Sequence, residues 1–210
     1  MRKIMFAAIA IAGLAVSASA QDLRTPATIN LFISPCGEPF EALKKEPYPI
    51  VNWFDGADAN HDGKLDIDEM RADAARFFKA LDRNGDGVID GQEVTWYETK
   101  LVPEILAPPS GALETGIIKV VLQDSGSLID HSAPRDGDAY AHQGASYYSL
   151  FNEPEPVRSA DRNFDYRITL AEFLAHSDRH FHALDRDNEG FLTLAKLPKT
   201  GAEREAKAHR

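Results

Sequence analysis

The sequence predicts a mainly α-helical protein: four helix-loop-helix units in two halves, each half sharing one central helix, with a small β/loop insert between the halves. Three observations predict it. Four twelve-residue frames place acids and amides at alternating positions: DANHDGKLDIDE (58–69), DRNGDGVIDGQE (82–93), DRNFDYRITLAE (161–172) and DRDNEGFLTLAK (185–196). The frames start 24 residues apart in each half, at 58 and 82 and again at 161 and 185, which marks an internal duplication. The segments between paired frames, MRADAARFFKAL (70–81) and FLAHSDRHFHAL (173–184), contain neither Gly nor Pro. In the first, Met70, Ala74, Phe77, Phe78 and Leu81 fall on one helical face.

In chain order, residues 1–20 read as a signal peptide. Arg2 and Lys3 are followed by an apolar run from Ile4 to Val16 and by Ala18-Ser19-Ala20, the pattern of an exported chain. The run is shorter than the roughly 20 apolar residues of a membrane span. Residues 21–48 form an N-terminal extension. The first loop pair occupies 49–102. Pro49 suits the first turn of an entering helix, whose apolar face is Ile50, Trp53, Phe54 and Ala57. Val94, Tyr97 and Leu101 continue helically after loop two until Pro103. Residues 103–157 are the insert, with a candidate strand at 117–122 that turns at 123–126 and returns as a hairpin. The second loop pair occupies 158–197, and 198–210 is a polar tail, expected to fray.

The chain has 33 Asp and Glu against 23 Lys and Arg, a net charge of −10, and 43% hydrophobic content. That content suffices for a globular core. The acidic balance argues against a nucleic-acid partner, which needs a basic face. The single cysteine, Cys36, excludes an internal disulfide framework. Fourteen of the 33 acids sit at ligand positions of the four frames, so the charge is concentrated rather than spread.

The frames explain that concentration. Loops one and two match the calcium-loop pattern D-x-[DN]-x-[DN]-G-x5-E in full. Calcium is a hard cation that takes six to eight oxygens. Loop one supplies Asp58, Asn60 and Asp62 from positions 1, 3 and 5, the Lys64 carbonyl from 7, Asp66 from 9 and Glu69 from 12. Loop two supplies Asp82, Asn84, Asp86, the Val88 carbonyl, Asp90 and Glu93. Gly63 and Gly87 allow the sharp turn. Loop three keeps Asp161, Asn163, Asp165, the Arg167 carbonyl and Glu172, but Tyr166 stands at the glycine position. A left-handed residue there costs about 1–2 kcal/mol, which predicts a weaker site. Loop four has Asp185, Asp187, Glu189 and Gly190, but Lys196 replaces the bidentate acid. An ammonium only donates and repels the ion, so loop four is expected to be empty and kept as scaffold.

The spacing also has a geometric consequence. Only twelve residues separate Glu69 from Asp82, so one helix must leave loop one and enter loop two. It holds the two loops about 18 Å apart at 1.5 Å per residue, and strands pair at about 5 Å. Loop one should therefore pair with loop four, and loop two with loop three, across antiparallel shared helices.

Other candidates carry less. His176 and His180 lie four apart, a spacing that suits zinc, but without Cys or an H-E-x-x-H arrangement they read as a solvent-facing face. Trp53, Trp96 and Tyr97 read as core. The sequence has no nucleophile elbow, phosphate loop or dinucleotide fingerprint, so no catalysis is expected.

The four loops resemble those of the EF-hand (calmodulin-like) superfamily. The signal peptide and the segments FISPCGEPF (32–40), YPIVNWF (48–54) and GASYYSLFNEPEPV (144–157) resemble exported bacterial EF-hand domain proteins. That resemblance implies calcium binding in the periplasm or after secretion. The short spacing is also similar to the lanthanide-binding EF-hand protein lanmodulin, which makes a lanthanide a possible ligand. Ala59 and Arg83 stand where lanmodulin has proline, a departure that counts against lanthanide selectivity. The expected function is calcium binding in a structural, buffering or partner-docking role. The alternatives are a calcium sensor that exposes an apolar groove and a lanthanide binder. No membrane association is expected once the signal is cleaved, and any protein partner is unidentified.

Overall fold

A computed structural model describes residues 29–106 and 144–208. The signal peptide and the expected hairpin over 117–129 lie outside the described residues. Six short strands and five α-helices follow in the order β1 (Ile29–Ile33), β2 (Pro39–Leu43), α1 (Ile50–Ala57), β3 (Leu65–Asp66), α2 (Ile67–Leu81), β4 (Val88–Ile89), α3 (Gly91–Trp96), β5 (Ile168–Thr169), α4 (Leu170–Leu184), β6 (Phe191–Leu192) and α5 (Gly201–Ala208). None of the described helices is long and apolar enough to cross a membrane.

The loop pairing is the one the 24-residue spacing demands. β3 pairs antiparallel with β6, Leu65 opposite Leu192. β4 pairs antiparallel with β5, Ile89 opposite Ile168. These four position-8 side chains are all buried. α2 joins β3 to β4 and α4 joins β5 to β6, so the pairings require the two helices to run antiparallel. Ser177 of α4 donates to the Met70 carbonyl of α2 at 3.4 Å, and Phe173 packs edge-on to Phe78 with ring centroids 5.7 Å apart. Arg71 of α2 and Asp178 of α4 close the exposed side with two hydrogen bonds of 2.7 and 3.0 Å.

α2 starts at Ile67, three residues before the expected start, because the loop itself caps it. Asp66 accepts from the backbone N–H groups of Asp68 and Glu69, and Glu69 accepts from Asp66 N–H, a closed capping box. Asp90 with Glu93 and Thr169 with Glu172 repeat it at α3 and α4. The acid at position 12 therefore starts a helix as well as facing the loop.

The outer helices depart from four complete units. Loop three is entered by a single 3-10 turn, Arg158–Ala160. Pro154 and Pro156 just upstream lack the N–H that a helix needs. Loop four is followed by a turn, and the next helix, α5, begins only at Gly201 beyond Pro198. Lys196 cannot accept the hydrogen bond that closes a capping box, so the helix start present in the other three loops is missing here. Only loops one and two have an α-helix on each side.

Two further elements escape the sequence pattern. Residues 29–43 form a hairpin with Phe32 opposite Phe40. Side chains alternate along a strand, so β1 serves two cores at once. Leu31 and Ile33 join Phe77, Phe78, Tyr97 and Phe173. Phe32 joins Tyr48, Trp53, Met70 and Phe181. Within the polar tail, residues expected to fray form α5, Gly201–Ala208. Thr200 caps α5, accepting from Glu203 N–H at 3.0 Å, and its hydroxyl meets Tyr48 Oη at 2.8 Å deep in the structure. Cys36 is buried, and burial pushes its thiol up to about 12, with Asp73 adding to the shift.

Candidate metal centre

Each loop is built around the aspartate that ends the preceding element. Asp58, Asp82 and Asp185 each donate their backbone N–H to the preceding helix, at the carbonyls of Phe54, Phe78 and Phe181, all at 2.9 Å. Their carboxylates then turn inward over the loop. In loop one, Asp58 accepts from Asp62 N–H at 3.2 Å and from Gly63 N–H at 2.8 Å. In loop two, Asp82 accepts from Gly85, Asp86 and Gly87 N–H at 2.8, 3.1 and 2.9 Å. Asp161 and Asp185 make the same contacts with Phe164 and Tyr166, and with Glu189 and Gly190.

The position-3 amides and position-5 acids continue the wrap. Asn60, Asn84 and Asn163 accept from the N–H two residues on, at 2.9, 2.8 and 2.8 Å. Asp62, Asp86 and Asp165 accept from Lys64, Val88 and Arg167 N–H, each at 2.9 Å. The result is a set of carboxylate and amide oxygens held by the loop's own amides. Oxygen donors of this kind fit a hard cation.

Position 12 distinguishes the loops. Glu69 reaches across loop one to Asn60 N–H at 3.2 Å. Glu93 reaches across loop two to Arg83 and Asn84 N–H at 2.7 and 3.2 Å. Glu172 instead accepts from Thr169, backbone and hydroxyl, at 2.9 and 2.8 Å. In loop four the Lys196 ammonium lies between Asp187 and Glu189, at 3.0 and 2.7 Å. Those two acids raise its pKa. The loop has taken its own side chain as cation, which goes further than simple repulsion of an incoming ion. Lys64 at position 7 directs its ammonium over the Phe191 ring of loop four, 4.2 Å from the centroid, and leaves its carbonyl as the position-7 oxygen.

The backbone confirms the demand at position 6. φ is +79°, +83° and +80° at Gly63, Gly87 and Gly190, and +63° at Tyr166. Position 4 is left-handed as well, at His61, Gly85, Phe164 and Asn188. Phe164 was not singled out by the sequence reading, although its place in the frame identifies it.

His176 and His180 correct an expectation. They face inward, 3% and 4% exposed, and both meet Glu153. The acid comes from the segment before loop three, and no helical periodicity could have connected it to α4.

Residues 50–72 and 74–94 match the family model of the EF hand. The match covers loops one and two with their flanking helices, and it supports an EF-hand protein that binds calcium. Searches of curated proteins and of solved structures gave no match.

Proposed function

We propose that this chain is an exported, non-catalytic calcium-binding protein, periplasmic or secreted, in which calcium holds the structure together or docks a partner. Loops one and two are its strong sites. Asp58, Asn60, Asp62, Asp66, Glu69 and the Lys64 carbonyl would hold one ion. Asp82, Asn84, Asp86, Asp90, Glu93 and the Val88 carbonyl would hold the second. Asp161, Asn163, Asp165, Glu172 and the Arg167 carbonyl form a weaker third site, and loop four supports loop one through strand pairing. The bound ion supplies positive charge that these oxygens share. The chain's part is to keep those oxygens converged.

The observation that carries this reading is the reach of Glu69 and Glu93 across their loops. The position-12 acid then meets the same turn as the acids of positions 1 and 5 and the amide of position 3. The structural role rests on location. Exported proteins meet calcium near the 10⁻⁴–10⁻³ M range at which extracellular modules bind, so a tighter site would stay filled.

Calorimetric calcium titration of the wild type with Glu69→Gln, Glu93→Gln and Glu172→Gln tests the assignment. The expected result is two tight sites and one weak one, with each variant removing its own. Four equal sites would overturn it. Apolar-dye fluorescence should not change between calcium-free and calcium-loaded protein, and a strong rise would favour the sensor reading.

A further inference from the structure

Away from the loops, three ligand-type side chains converge. His176 and His180 stand one turn apart on one face of α4, their rings 4.1 Å apart. Glu153 arrives from the segment before loop three. Its two oxygens each face one ring, with His176 Nε2 to Oε2 and His180 Nε2 to Oε1 both at 3.1 Å. One ligand atom from each residue lies within 4.8 Å of the other two. The Phe151 ring stacks on His180 at 3.8 Å, walling one side with carbon. Nδ1 of His180 is buried with no hydrogen-bond partner among the described residues. Burying two imidazoles against a half-buried carboxylate beside an apolar core is costly, and packing α4 against α2 does not require them.

We propose that Glu153, His176 and His180 bind one divalent transition-metal ion of the zinc class, independently of the calcium loops. Two imidazole nitrogens and one carboxylate oxygen suit zinc's mixed preference and leave its fourth position open. Calcium needs six to eight oxygens and is poorly served by this set. Burial lowers the His176 pKa, outweighing the hydrogen bond from Glu153, and keeps the ring neutral. Burial alone would raise the Glu153 carboxyl, but the hydrogen bonds from His176 and His180 hold it down to about 2.

Without metal, Arg179 donates to His176 Nδ1 at 2.8 Å, so the ring hydrogen sits on Nε2. Metal entry at Nε2 moves that hydrogen to Nδ1 and displaces the Arg179 guanidinium, with no net loss of a proton from a neutral ring. The ion would then fasten the segment before loop three to the helix that follows that loop.

The test uses tag-free full chain, stripped with chelator and refilled with saturating calcium. Zn²⁺ is titrated calorimetrically, and Co²⁺ is followed by its visible absorption. One Zn²⁺ per chain is expected, with intense low-coordinate Co²⁺ bands. Glu153→Gln and His180→Gln should each weaken binding at least ~10–100-fold, no less than loss of an outer-shell partner, while the calcium isotherm stays unchanged. His182→Gln, an exposed neighbour on the same helix, should bind as wild type. Absence of Zn²⁺ binding in the calcium-loaded wild type overturns the proposal, as does undiminished binding by Glu153→Gln. Should His180→Gln fail to fold by circular dichroism, the near-isosteric Glu153→Gln and the wild-type Co²⁺ spectrum decide. Failure of the calcium reading would appear separately, as a missing calcium isotherm in the wild type.

Discussion

Tyr166 holds a φ of +63° where its counterparts are glycines, and its side chain is 78% exposed. Among the described residues little packs around the ring to offset the left-handed backbone, which costs about 1–2 kcal/mol for a residue with a Cβ. Tyr166→Gly returns part of that gain as unfolded-chain entropy, so a net stabilisation of about 1 kcal/mol is expected. Urea denaturation without calcium measures it, and tighter binding at loop three should accompany it. Lys196 makes the opposite case, since its ammonium already satisfies Asp187 and Glu189. Lys196→Glu removes that internal cation and restores a position-12 acid, so calorimetry should count one additional calcium. Glu155 is a third local conflict. Burial pushes its carboxyl up to about 7, although the Arg158 backbone N–H opposes the shift, and its Oε1 has no partner among the described residues. A carboxyl raised above its unfolded value of 4.5 stabilises the fold while protonated and loses that contribution as pH climbs through about 5 to 7. Glu155→Gln should therefore match the wild type near pH 5 and exceed it by roughly 2–3 kcal/mol at pH 8. Calcium-saturated denaturation series at the two pH values give the difference directly.

The strand pairs β3–β6 and β4–β5 are only two residues long, yet they set which loops lie side by side. Ile168 and Ile89 are buried opposite one another. Ile168→Ala should cost about 2–5 kcal/mol through the cavity it leaves, and it should weaken calcium binding at loop two as well as at loop three. A loss confined to loop three would show that the pairing carries no coupling. This geometry was legible from the 24-residue period, because a shared helix cannot bring two loops within strand-pairing distance. The apolar face of α1 and the loop ligand frames were legible for the same reason: each repeats at a spacing fixed by local backbone geometry. The hairpin of 29–43 was not, because its alternating residues serve two cores and present no single apolar face. The docking of α5 was hidden too, since it depends on the Tyr48–Thr200 contact across 152 positions of sequence. Glu153 beside His176 and His180 belongs with these long-range cases. Their spacing along α4 was visible in the sequence, but the acid that turns two histidines into a cluster arrives from 23 and 27 residues away.

At the scale of the molecule, the net charge of −10 is a property of the loops. Fourteen of the 33 acids occupy their ligand positions, and the loop amides that bind those carboxylates neutralise none of the charge. Like charges crowded around each turn repel when no cation is present. Both cores lie against the paired loops, through Leu65, Leu192, Ile89 and Ile168, so repulsion there strains the packing as well as the sites. Calcium should therefore act on global stability. Each site filled at a hundredfold excess over its Kd adds about 2.7 kcal/mol. Two such sites should raise the Tm of a chain this size by roughly 10–20 °C. Chelation should reverse the rise. Sodium chloride should recover part of it in the chelated protein by screening the loop acids, and should change the calcium-loaded protein little. Calorimetric scans across the four combinations of calcium and salt separate these terms. Equal salt responses with and without calcium would show that the acidic loops do not limit the stability of the metal-free fold.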